Sequence, residues 1–203
     1  MTTLKHHESK EMKPIANFLY EVGQLKRVKR SGWWLAGVKD PETVAEHSHR
    51  AAIIAYLLAR LERADAGKAC AIALFHDTHE ARIQDLHKVA QRYVDMAHAE
   101  HTAIAEQTDA LPDAVRADVK ALKDAFTGTQ AAESQIARDA DYLECLAQAL
   151  EYKAQGNHEV DDWITNCKKR LVTKSAQKLA SELMMTKPDA WWEKLKLRIV
   201  NDK

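Results

Sequence analysis

The stretch Ala69-Cys-Ala-Ile-Ala-Leu-Phe-His-Asp77 sets an imidazole and a carboxylate next to each other in an otherwise apolar run. Burying such a pair is costly unless a partner satisfies both groups. A divalent cation does so, because it accepts imidazole nitrogen and carboxylate oxygen together. We predict a helix from Ala66 to about Ala81 around this stretch, and we treat His76 and Asp77 as candidate metal ligands within it.

Helical periodicity of the apolar residues extends over most of the 203-residue chain. Only 6 Gly and 4 Pro interrupt it, and no segment shows the sustained alternation of a strand. We expect one all-α domain, a single helical bundle over residues 12–203, after a disordered start at residues 1–11. The other expected helices are Met12 to Lys26, Pro41 to Arg63 with Pro41 in the first turn, Asp85 to Gln107, Leu111 to Phe126, Gln130 to Gln155, Asp161 to Leu183 and Asp189 to Val200.

The composition narrows the class of protein. Lys and Arg together number 30, as do Asp and Glu, so no net charge attracts a nucleic acid polymer or an anionic membrane. No segment approaches the ~18 apolar residues of a membrane span, and the start lacks the apolar stretch of a signal peptide. Three widely spaced cysteines favour reduced thiols over a disulfide framework. We therefore expect a cytoplasmic protein without a membrane or nucleic acid partner.

Two further candidate ligands stand in other predicted helices: His47, in Val44-Ala-Glu-His-Ser-His, and Asp141, in Ala140-Asp-Tyr-Leu. Taken singly, a residue of this kind is more often a hydrogen-bonded structural residue. The ordered set is a stronger signal, because bundles build metal sites from inward-pointing side chains on separate helices. Two His and two Asp suit one divalent ion, Mn²⁺, Co²⁺, Fe²⁺, Ni²⁺ or Zn²⁺, with Mg²⁺ as a further option.

Four motifs follow one another between about residues 15 and 155. They are Arg30-Ser-Gly-Trp, Pro41-Glu-Thr-Val-Ala-Glu-His, His76-Asp-Thr-His-Glu and the late Asp139-Ala-Asp. The His-Asp dipeptide alone is a weak signal, but the combination is specific. In this order the motifs resemble the HD-domain metal-dependent phosphohydrolases, and within them the 5′-deoxynucleotidase branch. The resemblance implies an all-α HD domain and a nucleotide substrate.

The resemblance also implies that one divalent metal is held by four ligands, His47, His76, Asp77 and Asp141. It further implies that Glu80, together with Asp77, serves catalysis by activating or orienting the attacking water. In the predicted helix Glu80 lies four residues after His76 on the same face, and a carboxylate there can accept a proton from water. A solvated residue paired with Arg82 or Lys88 is the alternative for Glu80.

Four basic residues precede Trp33: Lys26, Arg27, Lys29 and Arg30. The fork of an arginine suits a phosphate, and an indole offers a flat face to a sugar or a base. The resemblance implies that Arg30 contacts the phosphate and Trp33 the deoxyribose of a nucleotide. The alternative is a solvated basic loop with a tryptophan packed into the core. Trp34 is assigned to packing or to the mouth of the substrate site.

Asp85 follows Gln84, where members of the resembled branch usually carry glycine before the aspartate. Asp85 is predicted to bind substrate by orienting a hydroxyl, or to orient a metal ligand. The alternative is that Asp85 caps the helix that follows.

The leading hypothesis is a metal-dependent phosphomonoesterase that hydrolyses nucleoside or deoxynucleoside 5′-monophosphates to nucleoside and phosphate. One alternative is a two-metal HD phosphodiesterase or oxygenase that uses His98 and His101, at i and i+3 of a predicted helix. Another is a non-catalytic HD module that binds a nucleotide. A late apolar segment predicts internal packing or a homodimer interface; its members are Trp191, Trp192, Leu195, Leu197 and Ile199.

Overall fold

The computed structural model describes residues 2–128, 130–193 and 195, with side chains from residue 12 onward. Within these residues the backbone forms α-helices joined by turns and no sheet, which confirms the predicted all-α class. Three short 3₁₀ turns lie at Gly23–Lys26, Ala90–Tyr93 and His158–Val160. The helices are α1 (Thr2–Val22), α2 (Gly32–Leu35), α3 (Val44–Glu62), α4 (Ala66–Phe75), α5 (Glu80–Ile83), α6 (Met96–Thr108), α7 (Asp113–Gly128), α8 (Ala132–Ala154), α9 (Asp161–Arg170) and α10 (Lys174–Met185).

Helices α3, α4 and α8 pack against one another at the centre of the bundle, with α7, α9 and α10 around them. The core between them contains many small side chains, which let helix axes approach closely. These buried alanines are Ala55, Ala59, Ala69, Ala73, Ala137 and Ala140, and the larger residues beside them include Leu58, Ile72, Ile136 and Leu143. All four candidate metal ligands lie on these three helices or directly after one of them.

The start of α3 is set by a capping box. The Thr43 hydroxyl accepts a hydrogen bond from the backbone N–H of Glu46 at 3.2 Å, and the Glu46 carboxylate accepts one from the backbone N–H of Thr43 at 2.6 Å. Pro41 therefore lies before the helix, and its predicted place in the first turn was wrong. The backbone N–H of Arg30 donates to the Glu42 carbonyl at 3.0 Å, which fastens the loop before α2 to this helix start.

The predicted helix from Ala66 to about Ala81 is interrupted at the His-Asp pair. Its start is as expected, because the Asp65 carboxylate accepts a hydrogen bond from the backbone N–H of Lys68 at 3.0 Å. Helix α4 nevertheless ends at Phe75, residues 76–79 form a turn, and α5 adds a single helical turn from Glu80. His76 and Asp77 thus project from the end of a helix.

A buried lysine explains the interruption. Lys123 Nζ, from α7, donates to the carbonyl oxygen of His76 at 3.0 Å. In a continued helix that carbonyl would accept the backbone N–H of Glu80. The N–H of Glu80 instead donates to the carbonyl of Asp77 at 3.0 Å, which closes a tighter turn.

The prediction of one helix from Asp85 to Gln107 was wrong in its first half. That half is irregular apart from the 3₁₀ turn at Ala90–Tyr93. Helix α6 begins only after Asp95, whose carboxylate accepts the backbone N–H of His98 at 3.1 Å.

The predicted helix from Asp161 to Leu183 is split into α9 and α10. The cause is the buried carboxylate of Asp139 on α8, which accepts the backbone N–H groups of Val172 and Thr173 at 2.9 and 2.7 Å. An interior helical position could not offer these N–H groups, because each would already be bonded to a carbonyl four residues earlier.

The two ends of the chain are only partly comparable with the predictions. Helix α1 begins at Thr2 and ends at Val22, where a 3₁₀ turn follows from Gly23 to Lys26. The predicted α-helix ended at Lys26. The domain boundary at residue 12 stays a prediction. The predicted helix from Asp189 to Val200 lies largely outside the described residues.

Of the helices that the structure describes, none combines the length and the apolar character needed to cross a membrane.

Gln84 has a backbone conformation that favours glycine, with φ +68° and ψ 163°, directly after α5. This conformation costs a residue with a Cβ of order 1–3 kcal/mol. We expect Gln84→Gly to raise the free energy of unfolding by about 1 kcal/mol, after the larger entropy of glycine in the unfolded chain is subtracted. Urea denaturation measures the change.

Arg63→Gly is the matched control for this prediction. Arg63 also has a positive φ, +60°, but its ψ of 32° belongs to the ordinary left-handed helical region, which is less costly. A gain at Arg63 as large as that at Gln84 would show that no special strain resides at Gln84.

Candidate metal centre

Four side chains converge where α3, the end of α4 and the middle of α8 meet. His47 belongs to α3, His76 and Asp77 to the turn after α4, and Asp141 to α8. Asp77 Oδ2 lies 2.9 Å from His76 Nε2 and 3.8 Å from His47 Nε2. Asp141 Oδ1 lies 3.1 Å from His47 Nε2 and 3.9 Å from His76 Nε2. The four residues that the sequence singled out are therefore neighbours in space.

The chemistry of this cluster fits a divalent cation. His47 Nε2 and His76 Nε2 are buried, and neither has a hydrogen-bond partner among the residues that the structure describes. Such buried polar atoms are costly. Ligands bound to one ion at about 2.1 Å stand roughly 3 Å or a little more from one another, which is close to the spacing here. A cation at this point would satisfy both nitrogens and both carboxylates.

The second nitrogen of each imidazole is already engaged. His76 Nδ1 donates to the backbone carbonyl of Ala73 at 2.6 Å, and His47 Nδ1 donates to the carboxylate of Glu144. With the proton on Nδ1, each Nε2 carries a lone pair. When neutral, both histidines are therefore held in the tautomer that a metal requires.

Burial makes the charges of the cluster interact strongly. Burial and a nearby guanidinium lower the pKa of His47, but the carboxylates of Glu144 and Asp141 outweigh them and raise it to about 10. Burial raises the pKa of Asp141, but the imidazole of His47 beside it and the charge of His76 bring this pKa below its ordinary value. Burial likewise opposes ionisation of Asp77, yet the imidazoles and a guanidinium hold its pKa well below the usual range. The carboxylates thus require a positive charge beside them, which a metal can supply in place of a proton.

Glu80 begins α5 beside the cluster, and its Oε2 is buried with no hydrogen-bond partner within the described ranges. Burial raises the pKa of Glu80, and the charges of Asp77 and Asp85 raise it further, to well above its ordinary value. A cation held by Asp77 would offset this repulsion and favour the ionised form. The alternative of a pair with Arg82 does not hold, because Arg82 binds carboxylates on α1 and α6 instead.

Arg30 faces the cluster from the loop before α2. Its Nη1 lies 3.6 Å from Asp77 Oδ2, and its Nε lies 4.0 Å from Asp85 Oδ2. Ser31 Oγ donates to the backbone carbonyl of Asp85 at 2.6 Å, which ties this loop to the one after α5. The capping alternative for Asp85 does not hold, because α6 begins only after Asp95. Asp85 instead lies opposite the guanidinium.

Trp33 lies in a second part of the core. It is 2% exposed, its ring stacks on Trp163 with centroids 5.7 Å apart, and its Nε1 donates to Glu42 Oε1 at 3.1 Å. Little surface remains for contact with a sugar, so the geometry favours the packing alternative, and the predicted substrate contact stays a prediction. Its neighbour Trp34 is 52% exposed.

Sequence reasoning missed three charged residues around the cluster. Glu144 binds both His47 and Arg50, whose Nε donates to it at 2.9 Å. Lys123 donates to the carbonyl of His76 and approaches His79 Nδ1 at 3.3 Å. A signal for Glu144 was present, because it falls on the predicted apolar face of its helix, four residues after Ala140. Lys123 had no comparable signal.

The two-metal alternative gains no support. His98 and His101 lie on α6 with exposed side chains. In the part of the chain that the structure describes, no grouping of three possible ligands includes either residue.

Comparisons with known proteins identify the family of this chain. A family model described as HD domain matches residues 22–184. The chain is 32% identical over 142 residues to the 5′-deoxynucleotidase HDDC2 of Xenopus laevis, covering 70% of each chain. It is 31% identical over 140 residues to the 5′-deoxynucleotidase HDDC2 of Homo sapiens, covering 68% of each chain. The solved structure of a conserved hypothetical protein from Pyrococcus furiosus is 30% identical, with a TM-score of 0.71 over 84% of this chain and 99% of that chain. This chain belongs to the HD-domain family of metal-dependent phosphohydrolases.

Proposed function

We propose that this protein is a phosphomonoesterase that uses one divalent metal to hydrolyse nucleoside 5′-monophosphates, deoxynucleotides among them, to nucleoside and phosphate. The observation that carries the proposal is the convergence of the Nε2 atoms of two buried imidazoles with the buried carboxylate of Asp77 and the half-buried carboxylate of Asp141. The relatives named 5′-deoxynucleotidase support the substrate class.

The proposed metal ligands are His47, His76, Asp77 and Asp141. Mixed nitrogen and oxygen donors suit Mn²⁺, Co²⁺, Fe²⁺, Ni²⁺ or Zn²⁺ better than Mg²⁺, which prefers an all-oxygen shell. When bound, such an ion supplies Lewis acidity to a phosphoryl oxygen and to water.

Glu80 is the proposed proton acceptor for the attacking water. The water oxygen forms the new bond to phosphorus, its proton passes to the Glu80 carboxylate, and the bond from phosphorus to the 5′ oxygen breaks with return of a proton to that oxygen. Two observations support this role. Glu80 lies beside Asp77, and its buried Oε2 accepts no hydrogen bond from the described residues.

Arg30 is the proposed phosphate ligand, and Asp85 the residue that orients it. At 3.6 and 4.0 Å from the two carboxylates, the guanidinium is not locked into a close bidentate pair. Its parallel donors can therefore turn to two phosphoryl oxygens. Trp33 stabilises this loop, because its backbone N–H donates to the carbonyl of Arg30 at 3.2 Å.

A cytoplasmic location and a homodimer complete the proposal. Reduced cysteines support the first: Cys70, Cys145 and Cys167 are all free thiols. The second rests on the late apolar segment, where Trp191 and Leu195 are exposed. Multi-angle light scattering at micromolar concentration decides between a monomer and a dimer.

A phosphate-release assay tests the proposed reaction. With Mn²⁺ or Co²⁺ we expect release from nucleoside and deoxynucleoside 5′-monophosphates, and its abolition by EDTA, because no other group in the site replaces the cation's role. Nucleoside 3′-monophosphates serve as the control substrates. Absence of release from every 5′-monophosphate in the presence of metal would count against the proposal, as would release that EDTA leaves undiminished.

Glu80→Gln is expected to lower kcat at least ~100-fold, the usual size of the loss of a general base. Metal affinity should stay near that of the wild type, since Glu80 is not among the four ligands. The matched control is Glu106→Gln, an exposed carboxylate that pairs with Arg82 and should leave turnover unchanged. Steady-state kinetics measure both variants, and near-normal turnover of Glu80→Gln would exclude the assigned role.

Arg30→Lys keeps the charge and loses the fork. We expect kcat/KM to fall about 10-fold or more, since a hydrogen bond to a charged group contributes about 1.5–3 kcal/mol. Arg27→Lys is the control, because Arg27 is an exposed arginine on the same segment that bonds only Gln24 among the described residues. Equal kinetics of the two variants would contradict a phosphate contact by Arg30.

A further inference from the structure

The Nδ1 atoms of the two histidines in the cluster have different hydrogen-bond partners. His76 Nδ1 donates to a neutral backbone carbonyl three residues earlier, that of Ala73 in α4. His47 Nδ1 donates to the carboxylate of Glu144, which lies 97 residues further along the chain, on α8. An imidazole whose proton is held by a carboxylate is a stronger electron donor at its other nitrogen than one held by a carbonyl.

Glu144 is itself held in place from the opposite side. Its side chain is 0% exposed, and Arg50 Nε donates to Glu144 Oε1 at 2.9 Å. The remaining donors of Arg50 bind Glu151 Oε1 at 2.6 Å and Gln148 Oε1 at 2.8 Å. A buried carboxylate is costly unless it is paired. Here Oε2 of Glu144 accepts a hydrogen bond from the imidazole of His47, and Oε1 accepts one from the guanidinium of Arg50.

The register of the two helices produces this arrangement. His47 and Arg50 are three residues apart on α3, and Glu144, Gln148 and Glu151 lie at i, i+4 and i+7 on α8. Both sets therefore lie along one face of their helix. Glu144 is also three residues after Asp141, so one face of α8 presents one carboxylate to His47 Nε2 and another to its Nδ1.

We propose that Glu144 is a positioning residue of the metal centre: it holds His47 in the orientation that points its Nε2 at the cation, and Arg50 keeps the Glu144 carboxylate in place. The proposal rests on the metal site described under the proposed function and adds to it a residue that contacts neither substrate nor metal. It makes His47 the stronger of the two imidazole ligands.

Glu144→Gln tests this role, because the amide has the same shape and lacks the charge. We expect the dissociation constant for Co²⁺, measured by titration of the apoprotein without nucleotide, to rise 10- to 100-fold, the usual effect of losing such a partner. The visible absorption bands of bound Co²⁺ should shift, since a weaker imidazole donor changes the ligand field. Glu151→Gln is the matched control: it contacts the same Arg50 but not His47, and should keep the wild-type affinity and spectrum.

A second readout separates positioning from mere support of the fold. In the Zn²⁺-loaded protein, ¹H–¹⁵N NMR spectra should show a far-downfield Nδ1–H signal of His47 in the wild type, because the Glu144 carboxylate accepts that proton, and an upfield shift of the signal in Glu144→Gln, with the signals of His76 unchanged. Should the single variant fail to fold by circular dichroism, the double variant Glu144→Gln/Arg50→Gln is titrated instead, because it leaves no guanidinium unpaired.

Wild-type Co²⁺ affinity in the folded variant would overturn the role of Glu144, whatever the activity. Since the titration uses metal alone, it is independent of the substrate. A wild-type protein that binds Co²⁺ and releases no phosphate from nucleotides would overturn the proposed function and leave the positioning role standing.

Discussion

The structure depends on the compensation of buried negative charge at the meeting point of three helices. Asp77 and Asp141 face two imidazoles in the interior of a bundle, where an unpaired carboxylate costs far more than it does in water. Arg30 supplies positive charge from one side, and on the other side Arg50 neutralises Glu144, which would otherwise add to the negative charge. The remaining requirement is met by a proton on His47 or by a metal, and the metal satisfies both Nε2 atoms at once.

Much of the fold could be predicted, because the helices carry their own signals. Asp65 before α4 and the apolar face of α8 are local features, and local features can be read from one sequence. The errors arose where a distant side chain overrides the local pattern. Lys123 takes the carbonyl that would have continued α4 past His76, and Asp139 takes the N–H groups that would have joined α9 to α10. Neither partner is recognisable until the chain is folded.

The site shows the same difference between local sequence features and contacts with distant side chains. His76 and Asp77 were detectable because an imidazole and a carboxylate are costly to bury in an apolar helix, and His47 and Asp141 were added to them through the ordered set of candidate ligands. The indole of Trp33 carries no such cost, and its burial against Trp163 could not be separated from a role at the substrate site. Charged residues on helices usually face solvent. Glu144 and Arg50 differ because they compensate each other inside the bundle.

The position of the His-Asp pair at the end of α4 has an electrostatic consequence. The last carbonyls of a helix have no partner within the helix, and they give its C-terminus a partial negative charge. Lys123 Nζ binds one of these carbonyls, that of His76, and the cation site lies beside the same helix end. Had the helix continued to Ala81, as its apolar pattern predicted, this end would have been displaced from the ligands. The interruption that defeats the helix prediction therefore places the ligands at a helix end, where the ammonium of Lys123 offsets part of the partial negative charge.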